Sequence, residues 1–158
     1  MAKKTNAARK LDQLKISYSL HHYAVEKEER GAIAVAEKTG QPIEQIFKTL
    51  VLSGDKTGVI VAVIRGDREV HLKALAKASG NKKVEMVPLK EVLGITGYVR
   101  GGCSPIGMKK NFPVFIDEEA FEHAQIFISA GLRGTQICLS AEGLMQATNG
   151  RRASVVEA

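Results

Sequence analysis

The chain has 158 residues, 44% of them hydrophobic and 25% charged, which suits one globular domain over residues 1–158 with a sizeable core. Aromatic residues make up only 5% and tryptophan is absent, so aliphatic side chains must build that core. A net charge of +6 favours a polyanionic partner through counterion release, although a merely solvated basic surface gives the same count. No run is long and apolar enough to cross a bilayer, and the charged start has no apolar segment behind it, which speaks against a secretory signal. Two cysteines, Cys103 and Cys138, are too few for a disulfide framework and fit a reducing cytoplasm. His21, His22, His71 and His123 do not fall at metal-ligand spacing, so no metal is expected.

Thr5 reads as the N-cap of a helix through Leu14, with Ala7, Leu11 and Leu14 on one face. Tyr18 to Tyr23 alternates as a strand, and the charged run Glu26 to Arg30 reads as a turn. Ala32 to Lys38 is helical with Gly40 as its stop, and Pro42 opens a short helical turn. Phe47–Leu52 and Val59–Ile64 are strands joined by the polar turn Ser53–Gly58. They are therefore expected to pair antiparallel, the second buried on both faces. Leu72–Ser79 is a helix ended by Gly80, residues 83–87 a short strand, and Pro88–Leu93 a helix ended by Gly94. Pro113–Ile116 and Gln125–Ser129 are strands on either side of a helical turn at residues 118–124. Ala130–Gly134 is a glycine-bearing loop, Gln136–Ser140 a strand, and Ala141–Thr148 a helix stopped by Asn149-Gly150. Such interleaving lacks the strict alternation of a doubly wound sheet. It predicts an α+β domain with six or seven strands in a mixed, mostly antiparallel, barrel-like sheet and flanking helices.

The densest unusual backbone is Gly101-Gly-Cys-Ser-Pro-Ile-Gly107, followed at once by Lys109 and Lys110. Its glycines and proline preclude a regular helix or central strand. A stiff loop that lets an anionic ligand approach and a plain surface turn both satisfy this pattern. Lys48 lies at the head of an otherwise apolar strand, on the face of Leu50 and Leu52. It is either a lysine snorkelling from the rim or a cation held at the lip of a pocket for an anion or a developing oxyanion. Cys103 lacks any local cysteine-hydrolase signature and reads as a small buried residue in a tight loop. The N–H groups of Gly101 and Gly102 are candidate oxyanion donors. No phosphate-binding glycine motif, Gly-x-Ser-x-Gly elbow or carboxylate pair stands out. A catalyst made from this chain would rely on positioning and polarisation.

Phe47-Lys48-Thr49-Leu50, Gly101-Gly102-x-Ser104-Pro105-x-Gly107 and Ser129-Ala130-Gly131, in this order and spacing, resemble the YbaK family. That family comprises free-standing aminoacyl-tRNA deacylases and the editing domain inserted in bacterial prolyl-tRNA synthetase. The resemblance covers nearly the whole chain and is greatest to the branch that clears cysteine from tRNA(Pro). It implies Lys48 as the essential cation beside the 3′-terminal aminoacyl-adenosine. It implies an aminoacyl pocket lined by Tyr23, Thr49, Gly101, Gly102, Ser104, Pro105, Gly107, Ser129 and Gly131. It further implies no cofactor, tRNA(Pro) charged with cysteine as substrate, prolyl-tRNA synthetase as a partner, and no DNA. A deacylase of the same fold that uses water on Ala- or Ser-tRNA, and a non-catalytic binding module, are the alternatives. Gln136 departs from the acid common in relatives, and Glu28-Glu-Arg-Gly31 departs from their aromatic-bearing loop.

Overall fold

A computed structural model describes residues 4–25, 31–99 and 102–157. The expected turn at residues 26–30 and Gly101 lie outside the described residues. Five helices and eight strands are formed. The helices are α1 (Asn6–Leu14), α2 (Ala32–Thr39), α3 (Leu72–Ser79), α4 (Leu89–Thr96) and α5 (Ala141–Thr148). The strands are β1 (Ser19–His22), β2 (Phe47–Gly54), β3 (Gly58–Arg65), β4 (Val84–Met86), β5 (Val114–Asp117), β6 (Ile126–Leu132), β7 (Thr135–Leu139) and β8 (Arg151–Ala153). One sheet has the order β4-β2-β3-β5-β8 and the other β1-β7-β6. Four strand pairs are antiparallel, while β3–β5 and β5–β8 are parallel. The α+β class and the mixed, mostly antiparallel character are as expected. The strands are divided between two sheets, which meet at a parallel bridge between Ile46 and Phe127 instead of closing into a barrel.

The predicted hairpin forms in full register, with Phe47 opposite Arg65 and Gly54 opposite Gly58. As expected, β3 is buried on both faces. Val61 and Val63 enter the main core with Ile128, Ile137, Leu11 and Leu144, and so join both sheets to α1 and α5. Ile60, Ala62 and Ile64 enter a second core against Leu75 of α3 and Val155. The two cores follow from the two-residue period of a strand.

Three local expectations are corrected. The helix expected to stop at Gly94 continues to Thr96, and Gly97 ends it with φ +86°. Packing of Ile95 and burial of Thr96 offset the roughly 1 kcal/mol that a helical glycine costs. The expected loop at residues 130–134 is mostly strand. Ala130 is fully buried, so β6 continues through a bulge between Ser129 and Leu132 before turning at Arg133-Gly134. Strand β8 had no sequence signal, because two arginines read only as charge. It pairs at the sheet edge, with the Arg152 guanidinium 4.9 Å from the centroid of the Phe121 ring.

Tyr98 joins the glycine-bearing segments. Its hydroxyl donates to Ile106 C=O at 2.7 Å. A Cβ at Gly107 would lie 2.9 Å from that hydroxyl, and one at Gly131 would lie 2.6 Å from the edge of the ring. Both glycines have positive φ, +76° and +106°, so shape and backbone each demand glycine. Burial pushes the Tyr98 phenol up to about 12. Tyr98→Phe should leave the Ile106 carbonyl unpaired and destabilise the fold by about 1–2 kcal/mol, read as a lower denaturant midpoint with an unchanged m-value.

Candidate active site

A cavity of about 520 Å³ opens beside the start of β2. Four elements build three of its sides. Phe127, Ser129 and Gln136 line it from β6 and β7, whose alternate residues Ile126, Ile128, Ile137 and Leu139 belong to the main core. On the α2 side the lining residues include Ala32, Ala34 and Val35, whose small side chains leave the volume open. Helix α2 can approach because Gly66 lacks a side chain. A Cβ there would collide with that of Ala32. The third side is β2, through Lys48 and Thr49.

The lining is cationic. Lys38, Lys48 and Arg133 contribute to it, and no carboxylate does among the described residues. Lys38 donates to Ala24 C=O at 2.8 Å. No hydrogen bond or ion pair engages the ammonium of half-buried Lys48 among the described residues. Beside it, Thr49 Oγ1 is buried without a hydrogen-bond partner among those residues. A buried unpaired hydroxyl costs about 1–3 kcal/mol, so it calls for an explanation, and a bound polar group supplies one.

Gln136 is the residue whose place the sequence left unassigned. It is 4% exposed and exchanges two amide hydrogen bonds with Gln41, Gln41 Nε2 to Gln136 Oε1 at 2.8 Å and Gln136 Nε2 to Gln41 Oε1 at 3.0 Å. This reciprocal pair ties β7 to the segment after α2 and sets the floor of the cavity without adding charge. The separation of Gln41 and Gln136 in the chain hid the partnership.

The structure gathers Tyr23, Lys48, Thr49 and Ser129 around the cavity. Ser129 Oγ accepts from Gly131 N at 3.2 Å, across the β6 bulge. The glycine loop divides. Its Cys103 lines the cavity, whereas Ser104 is fully buried with its Oγ accepting from Ile106 N at 3.3 Å. Pro105 and Gly107 face a separate, smaller depression, and Gly131 is packed on Tyr98. Gly102 lies against the backbone of Leu132 and Arg133, and its N–H donates to Val99 C=O at 3.0 Å. Of the two expected donors, the Gly102 N–H is therefore already engaged, and Gly101 lies outside the described residues. Ser104, Pro105 and Gly107 thus lie in the loop and Gly131 in the β6 bulge, and none of the four is among the residues lining the cavity. Burial pushes the Cys103 thiol up to about 11, which leaves it protonated at neutral pH and unsuited to act as a nucleophile.

Among the described residues, a wall without carboxylates, an ammonium without a partner and an inert thiol suit polarisation of a bound ester or anion more than covalent catalysis by the protein. The family model for aminoacyl-tRNA editing domains matches residues 26–147. EbsC of Enterococcus faecalis, provisionally named a Cys-tRNA(Pro)/Cys-tRNA(Cys) deacylase, is 52% identical over 152 residues, covering 96% of this chain and 93% of EbsC. A proline–tRNA ligase of Pelotomaculum thermopropionicum is 37% identical over 81 residues, 51% of this chain but only 14% of the ligase. A solved structure provisionally described as a trans-editing enzyme for prolyl-tRNA synthetase superposes with a TM-score of 0.81 at 21% identity. That superposition covers 99% of this chain and 100% of the other. The motifs around Lys48 and the 102–107 loop, the cavity between them and these matches agree: the chain belongs to the aminoacyl-tRNA editing domain family.

Proposed function

We propose that this protein is a trans-editing deacylase that releases cysteine from mischarged tRNA(Pro), and from tRNA(Cys) as a second substrate. The observation that carries this reading is the Lys48 ammonium and the buried Thr49 hydroxyl, both without a partner among the described residues, in a cavity whose described lining holds no acid. The likeness to EbsC over 96% of the chain supports the choice of cysteine. Cysteine and proline are close in size, so binding alone discriminates between them poorly and a second sieve is needed. The protein acts in the cytoplasm, where tRNA is charged, alongside prolyl-tRNA synthetase.

The chemistry is substrate-assisted. The cysteinyl sulfur attacks its own ester carbonyl, and the thiol proton leaves to solvent. A C–S bond forms and the C–O bond to the ribose breaks, with the ribose oxygen taking up a proton. Water then opens the cyclic thioester to free cysteine. A thiol is already a few per cent ionised at neutral pH, so this route needs no protein nucleophile. Lys48 stabilises the carbonyl oxygen as it becomes anionic. The Thr49 hydroxyl gains a partner when the aminoacyl end is seated, and Tyr23 and Ser129 complete the pocket. A serine hydroxyl is far less acidic, and alanine has no side-chain nucleophile, so selectivity comes from reactivity as well as size.

Release of labelled cysteine from Cys-tRNA(Pro), with Ala-tRNA(Pro) alongside, tests the reading. Cysteine that stays on the tRNA at high protein concentration would refute the enzyme, and equal cleavage of Ala-tRNA(Pro) would refute the role of the substrate sulfur. Lys48→Ala should lower kcat by roughly 10²–10³-fold, the range for losing one oxyanion stabiliser. Cys103→Ala should keep most of the activity. In a Cys138→Ser background, alkylation of Cys103 by iodoacetamide should keep accelerating beyond pH 10, since the thiolate that reacts forms only near pH 11. A plateau by pH 9 would contradict the half-buried, protonated thiol.

A further inference from the structure

At the end of β2 remote from Lys48, the turn into β3 carries a second constellation. Asn81, 8% exposed, is its hub. Its Oδ1 accepts from Lys56 N at 2.8 Å and Thr57 N at 3.0 Å. Its Nδ2 donates to Thr57 Oγ1 at 2.9 Å and Ser79 Oγ at 2.8 Å, so every position on the amide is used. Gly54 has no side chain where the Asn81 amide fills the space of a Cβ. Asp55 Oδ1 accepts from Lys82 N at 2.9 Å and Lys83 N at 3.0 Å, and Asp55 N donates to Lys83 C=O at 3.1 Å. One hydrogen-bonded knot thus fixes the backbones of Lys56, Lys82 and Lys83, whose side chains are exposed.

The acid within the knot offsets only part of their charge. The Asp55 carboxylate turns to the Lys83 and Lys82 N–H groups, which hold it below the usual carboxylate range. None of the three ammonium groups is ion-paired among the described residues. Elsewhere Lys4 pairs with Asp12 at 2.6 Å, Arg65 with Asp67 at 2.6 Å and Arg68 with Glu119 at 3.2 Å. Glu85 follows on β4, and Lys77 in the last turn of α3 adds a further positive charge. With Asp55 and Glu85 set against Lys56, Lys77, Lys82 and Lys83, the patch keeps a net positive charge on backbones held in place.

We propose that Lys56, Lys82 and Lys83 form a docking surface for the phosphate backbone of the substrate's RNA. This rests on the reading of the cavity as the site for an aminoacyl-tRNA end. Lys48 and Gly54 bound six residue steps of β2, which at ~3.3 Å per residue separate the two sites by about 20 Å. A polyanion whose esterified end enters the cavity carries phosphates several stacked nucleotides away, at the distance of this patch. Backbones that are already fixed reduce the ordering cost of meeting them.

The test compares wild type with Lys56→Ala/Lys82→Ala/Lys83→Ala, measuring affinity for uncharged tRNA(Pro) by anisotropy over a salt series. The same proteins are assayed for deacylation of Cys-tRNA(Pro) and of 3′-cysteinyl-adenosine. The triple variant should bind tRNA about tenfold more weakly near 0.1 M salt, with the log–log salt slope flattened by about 2, and should raise KM for Cys-tRNA(Pro) without lowering kcat. Its rate on 3′-cysteinyl-adenosine should match wild type, which also shows that the fold is intact. The triple arginine variant should keep the wild-type slope. Unchanged affinity and slope, or equal losses on both esters, would overturn the docking surface. Wild-type protein that binds tRNA but cleaves neither ester would instead refute the catalytic reading, and the affinity comparison would still decide the surface.

Discussion

Two glycine-bearing segments beside the cavity are held against one tyrosine. Tyr98 is 7% exposed, binds the Ile106 carbonyl and fills the space that side chains at Gly107 and Gly131 would need. The loop that brings Cys103 to the cavity and the β6 bulge that brings Ser129 therefore share a single support. A loop on its own would leave these groups free to move, whereas here their separation is fixed by packing and one hydrogen bond in a buried setting. Gly107 and Gly131 are demanded by the approach of Tyr98 and by left-handed backbone, which is a different reason from contact with a ligand.

What the cavity offers is electrostatic. Its polar lining is cationic or neutral among the described residues, and Gln136 within it is held in place by Gln41. A buried amide pair satisfies its own hydrogen bonds and carries no net charge. It fixes the cavity floor without competing with Lys48 for a developing negative charge. A carboxylate in the same place would have drawn the ammonium away from the ligand. The protonated Cys103 thiol adds soft apolar surface to the same wall.

Strand β2 carries both features of interest. Its first residues lie at the cavity and its last residue, Gly54, lies under Asn81. Paired with β3 along its whole length and with β4 over its last three residues, it behaves as a rigid spacer between the two ends. The strand thus sets the spacing between the cavity at one end and the hydrogen-bonded turn that carries Lys56 at the other.

Most of the local architecture was legible in the sequence. Thr5 caps α1 by accepting from Ala8 N at 3.2 Å, Gly40 and Gly80 end α2 and α3 in left-handed backbone, and the β2–β3 hairpin pairs as its pattern foretold. Each of these is set by neighbours within a few residues, so composition and spacing suffice. Lys48 at the head of β2 stood out for the same reason. What the sequence missed depends on contacts between distant segments. Tyr98 carries no motif, because its role is defined by Ile106, Gly107 and Gly131 folding around it. The N–H of Gly102 looked available until Val99 was seen to accept from it. Gln41 and Gln136 are ordinary amides until tertiary structure seals them against each other, and β8 is a strand only because β5 offers an edge. Spacing along the chain determines which groups share an element and a face. Which of those groups are left unpaired, and what they surround, is decided when separate elements pack and each buried donor or acceptor finds a partner or fails to.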